Sequence, residues 1–101
     1  MTAVRITVLR TMSNQDLADE YCAPGAALPC PRFTKGQEFI VECGKQPEGF
    51  CGWAWNDLQK ACHILGQGGN FRGWSKDHDS IIRCCTDGIR PVVFEMKRIS
   101  D

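Results

Sequence analysis

Seven cysteines in 101 residues, an odd number, constrain this chain first. At least one thiol must stay unpaired, so complete internal disulfide bonding is excluded. Arg5 and Arg10 interrupt the N-terminal apolar residues before a secretory h-region can form. No apolar run is long enough to span a bilayer. A cytoplasmic setting, where thiols stay reduced, and no membrane association are therefore expected. The fold must then rest on an apolar core, with the cysteines as core filler, metal ligands or redox groups. An apolar fraction of 43% and a charged fraction of 24% suit such a core.

Residues 3–9 alternate through Val4, Ile6 and Val8 and predict a strand. Ser13 and Asp16 have the spacing of a capping box, which predicts a short helix over 14–22 with Leu17 and Tyr21 on one face. Three prolines and a glycine keep 23–32 irregular. Residues 37–43, entered through Gly36, predict a second strand with Phe39, Val41 and Cys43 on one face. Trp55, Leu58, Cys62 and Leu65 recur at helical spacing, predicting the main helix over 55–65 with Gly66 as its stop. Residues 80–86 and 91–99 predict two more strands, joined through the hairpin signal Asp87-Gly88, with Pro91 at a strand start or edge. The expected architecture is a single α+β domain over 1–101, ordered β-α-β-α-β-β. It is a mostly antiparallel four-stranded sheet with two helices.

Lys plus Arg and Asp plus Glu number 12 each. Residues 1–50 carry five basic and six acidic side chains, and residues 51–101 carry seven and six. Neither half is a basic block, so no nucleic-acid partner is expected. A homo-oligomer is compatible with this balance. The glycines of GQGGN, 66–70, lack the ending and the preceding strand of a phosphate loop but would let backbone approach a ligand. His63 and His78 are read as surface or satisfied residues.

Cysteine positions carry the chemistry. Cys30 sits between Pro29 and Pro31, Cys51 precedes Gly52, and Cys84-Cys85 end a strand before the Asp87-Gly88 turn. These loop and strand-end thiols are candidate ligands for an iron–sulfur cluster or another thiophilic metal. Adjacent strand residues point to opposite faces, so in a regular strand Cys84 and Cys85 cannot both reach one metal. Cys84 shares parity with Ile82, and Cys85 with Ile81 and Arg83; either is the candidate. Cys22, Cys43 and Cys62 are read as core filler. Trp53 and Trp55 are candidate walls of the site, although core packing accounts for them equally simply. Arg90, between the turn and Pro91, is a candidate anion contact or a solvated strand-end charge.

The segments PEGFCGWAWNDL (47–58), GGNF (68–71) and CCTDGIRPVVFEMKRI (84–99), with CPRFTKGQEFIV (30–41) and the N-terminal VRITVL, resemble a family of small cysteine-containing proteins found mostly in anaerobic bacteria and archaea. The combination FCxWAW with CCTDGxRPVxF carries the likeness, which extends over nearly the whole chain. It implies a motif made of Cys30-Pro31, Cys51 and the Cys84-Cys85 pair, and its anaerobic setting favours an oxygen-sensitive cluster. It implies no particular reaction.

Three readings stand at this stage. The first is an iron–sulfur or metal-binding protein of anaerobic metabolism that uses Cys30, Cys51 and Cys84 or Cys85. Three ligands would leave an iron open to substrate; four would favour electron transfer or a structural role. The second is a metal-free thiol enzyme with a nucleophile in the 84–85 pair. The third is a non-catalytic binding module or assembly subunit with structural cysteines.

Overall fold

A computed structural model describes residues 1–26 and 28–99. Ala27, within the expected irregular segment, and Ser100 and Asp101, within the expected domain, lie outside the described residues. The order is β1 (Val4–Thr11), α1 (Gln15–Tyr21), β2 (Glu38–Val41), α2 (Gly52–Gly66), β3 (Ser80–Cys84) and β4 (Val92–Arg98). The four strands form one antiparallel sheet in the order β2-β1-β4-β3. The chain is thus one α+β domain with the expected element sequence. Among the described residues no helix is long and apolar enough to cross a membrane.

Strand alternation decides which face is covered. Val4, Ile6 and Val8 of β1 face the core beside Phe94 and Met96 of β4 and Ile81 of β3, all at most 1% exposed. Helix α2 lies over this face and buries Ala54, Leu58, Ala61, Cys62 and Leu65. Phe33, Phe50 and Phe94 interlock beneath the helix start with centroids 5.1–5.8 Å apart. Burying a ring such as Phe94 contributes about 2–3 kcal/mol. The other face of the sheet leaves Ile40, Ile82 and Cys84 exposed.

Several boundaries differ from expectation for local reasons. Asn14, not Ser13, precedes α1, and its side chain caps nothing. It donates instead to Gly88 O at 2.6 Å, while its N–H bonds Ile89 O, tying the start of α1 to the β3–β4 connection. Helix α1 buries Ala18, leaving Leu17 and Tyr21 outside. Strand β2 stops at Val41, and Cys43 is exposed in a turn at φ +54°, so it is not core filler. Gly66 is still helical. The stop is a Schellman motif, with Gly68 N–H on Leu65 O, Gly69 N–H on Ile64 O, and Gly68 at φ +91°. The GQGGN glycines therefore close a helix. Arg98 completes this end by donating to Leu65 O at 2.8 Å and Gly69 O at 2.6 Å while pairing with Asp79.

Asp87-Gly88 does not make a two-residue hairpin. The β3–β4 ladder closes at Cys85 and Val92, where Cys85 N–H bonds Val92 O at 3.1 Å. Pro91 has no N–H with which to continue the pairing, and its carbonyl accepts from Met12 N–H instead. The connection is a longer loop organised from within by Asp87.

Candidate functional site

The end of the sheet where β1 finishes gathers three segments: the loop before β2, the start of α2 and the β3–β4 connection. Between them lies a cavity of about 350 Å³. Cys30, Cys51 and Cys85 all line it. These are 21 and then 34 residues apart in the chain. Cys30 comes from the proline-flanked loop and is partly buried. Cys51 is the residue immediately before α2; it is 8% exposed, and its side chain makes no capping bond. Its carbonyl accepts the Trp55 N–H that starts the helix, so the backbone role is filled while the thiol is left to the cavity.

Strand parity separates the adjacent pair. Cys85 shares the helix-covered side with buried Ile81 and lines the cavity; Cys84 lies on the side of Ile82 and is exposed. Cys85 Sγ accepts the Val92 N–H at 3.4 Å. Cys84 is therefore not brought to the cavity with the others. Cys22 is partly buried beside a different hollow under α1, and Cys62 is buried in the core, where burial pushes its thiol up to about 12.

The β3–β4 loop supplies the charged rim. Asp87 Oδ1 accepts the N–H groups of Ile89 at 2.9 Å and Arg90 at 3.1 Å, and Oδ2 pairs with Arg90 Nε at 2.9 Å. Partial burial pushes the Asp87 carboxyl up, but the two backbone N–H groups and the guanidinium outweigh it and hold the group below its ordinary value. Arg90 is held above its ordinary value, chiefly by Asp87, with the nearby Cys30 and Cys85 adding to the effect. Arg32, which sequence reasoning did not single out, also lines the cavity, as does Thr86. Its position two residues beyond Cys30 was the available signal.

The two candidate aromatic walls part company. Trp53 lines the cavity and is 75% exposed. Trp55 does not line it; at 9% exposure it packs edge-on to Phe50, 6.4 Å between centroids. One helical turn carries both, and their two-residue separation places them on different faces. Phe33, Ala54 and Val92 complete the apolar floor.

Chemically, the cavity offers three soft sulfurs, a positively biased rim and an apolar floor. Among the described residues, no three His, Cys, Asp or Glu side chains stand together as the donor set of one metal ion. Comparison with protein-family models, with curated proteins and with solved structures finds no match to this chain.

Proposed function

We propose that this is a small iron–sulfur or thiophilic-metal protein of a reducing, anaerobic cytoplasm, with Cys30, Cys51 and Cys85 as ligands. The observation that carries the reading is selective convergence: three cysteines from three distant segments line one cavity, while the other four lie elsewhere. Thiolates are the donors that iron–sulfur clusters and other soft metals require. Tetrahedral zinc would hold its thiolate sulfurs within about 4 Å of one another. Among the described residues no three such side chains form a single-ion donor set, and what supports the reading is the shared cavity lining. The Val92 N–H on Cys85 Sγ is the kind of hydrogen bond that tunes a cluster thiolate. With three protein ligands, a four-iron cluster would supply one iron open to a further ligand. In this reading Trp53 and Phe33 limit water at the site, and the Asp87–Arg90 pair fixes the loop that positions Cys85.

The same N–H···S bond and the proximity of Arg90 favour one alternative, a metal-free thiol enzyme with Cys85 as its nucleophile. One experiment separates the two. Protein purified without oxygen is analysed for iron and acid-labile sulfide, then treated with a limiting alkylating agent. Stoichiometric iron and sulfide with visible colour, lost in Cys85→Ser, is the expected result. Colourless, iron-free protein whose Cys85 alkylates far faster than the other six thiols would replace the cluster with the nucleophile.

A further inference from the structure

The cavity has a second chemistry besides its sulfurs. Its ionisable oxygen and nitrogen groups are Arg32, Arg90 and Asp87, two cations to one carboxylate. Asp87 is engaged by Arg90 and by two backbone N–H groups. Arg32 is exposed and pairs with no carboxylate among the described residues. Helix α2 opens beside it with no side-chain cap, which adds the positive end of a helix dipole. Much of the remaining lining is carbon: Phe33 on the floor and the indole of Trp53 at the rim. Trp53 is 75% exposed, so burial in the core does not explain its position. Arg32 and Trp53 also border an adjoining shallow hollow with Gly52 and Asn56, so the two side chains form a shared wall.

A volume of about 350 Å³ fits a small organic molecule. Cationic groups beside apolar lining select one with an anionic head and an apolar body. We propose that the cavity binds a small organic carboxylate, its head at Arg32 and the start of α2 and its body against Trp53 and Phe33. This goes beyond the cofactor reading and does not require it, because neither Arg32 nor Trp53 is a metal ligand.

The test uses the full-length, reduced, metal-free chain labelled with nitrogen-15. It is titrated with benzoate and hexanoate, and in parallel with the neutral benzamide. The Trp53 indole N–H signal is identified as the one absent from Trp53→Phe. Benzoate or hexanoate should move this signal saturably, and benzamide should bind about tenfold more weakly or worse. Arg32→Gln should weaken carboxylate binding by about tenfold, leave the rest of the spectrum unchanged, and recover in part as Arg32→Lys. Equal affinity for benzoate and benzamide, an Arg32→Gln variant that binds as the native chain does, or no shift with either acid would overturn the proposal. Iron and sulfide uptake measured on the same preparations decides the cofactor separately. Carboxylate binding by a chain that never takes up iron upholds this site and rejects the cluster.

Discussion

Raising the pH from 8 to 10 is expected to cost the folded chain about 1 kcal/mol through one side chain, the thiol of Cys62. Cys62 is 1% exposed beneath α2, and burial raises its thiol from an ordinary 9.0 to about 12. The fold therefore holds the neutral thiol, while the unfolded chain releases the proton three units earlier. For an acid whose native value is raised, the contribution is complete below the unfolded value and is lost as the pH climbs from 9 towards 12. At pH 8 roughly a tenth of unfolded thiols are ionised and the loss is negligible. At pH 10 about nine-tenths are ionised while the native thiol stays protonated, which corresponds to about 1 kcal/mol. The loss would level off near 4 kcal/mol beyond pH 12.

Urea unfolding of the native chain and of Cys62→Ala at both pH values, under reductant and without oxygen, isolates this contribution. Alanine leaves a small cavity costing about 1 kcal/mol, but that penalty is independent of pH. Lysines, Tyr21 and the other thiols titrate alike in both proteins and cancel in the double difference. The native chain should lose about 1 kcal/mol more than the variant between the two pH values. An equal loss in both proteins would refute the argument that desolvation in the core keeps this thiol neutral.

The adjacent pair should behave as two unrelated residues: Cys85→Ser should abolish iron and sulfide uptake, whereas Cys84→Ser, on the opposite sheet face, should retain the native iron content. Replacing Arg98 by Leu removes two charged hydrogen bonds to the end of α2 and the pairing with Asp79, and should lower unfolding free energy by about 2–4 kcal/mol in urea. Gly68→Ala forces a side chain into φ +91° at the Schellman position and should cost about 1–2 kcal/mol, read as a lower melting temperature with an unchanged cavity.

How much of this was legible from sequence depended on range. Val4, Ile6 and Val8 announce their strand because alternation is local, and Leu58, Cys62 and Leu65 announce α2 for the same reason. The parity argument showed that in a regular strand only one of Cys84 and Cys85 could join a site. Choosing Cys85 needed the knowledge that Ile81 is covered and Ile82 is not, which follows from the side of the sheet on which α2 packs. The Asn14 bond to Gly88 spans 74 residues and redirects a side chain that local rules assign to capping. Trp55 already stands on the apolar stripe of α2 in the sequence, while the helix start three residues before it brings Trp53 into the helix on a different face. Gly66 is the stop that local spacing predicts, and only the backbone hydrogen bonds place the left-handed glycine at Gly68.

The meeting of Cys30, Cys51 and Cys85 follows from chain direction. Strand β1 pairs antiparallel with β4, Thr11 lying opposite Val92 and Val4 opposite Arg98. The cavity end therefore holds the end of β1 and the beginning of β4. Helix α2 runs away from it, since Gly66 O receives Thr2 N–H at the far end. Strand β3 must then return, as Ser80 pairs near Lys97 and Cys84 near Val93. A helix that departs and a strand that returns place the residue before one and the residue after the other at the same end. Those residues are Cys51 and Cys85. Cys30 joins them because β2 also starts there, Glu38 lying opposite Thr7. Reversing the direction of either α2 or β3 would separate the sulfurs by the length of the sheet. The cavity is thus a consequence of topology acting on three thiols that lie outside the helices and strands, with Cys51 part of the core itself.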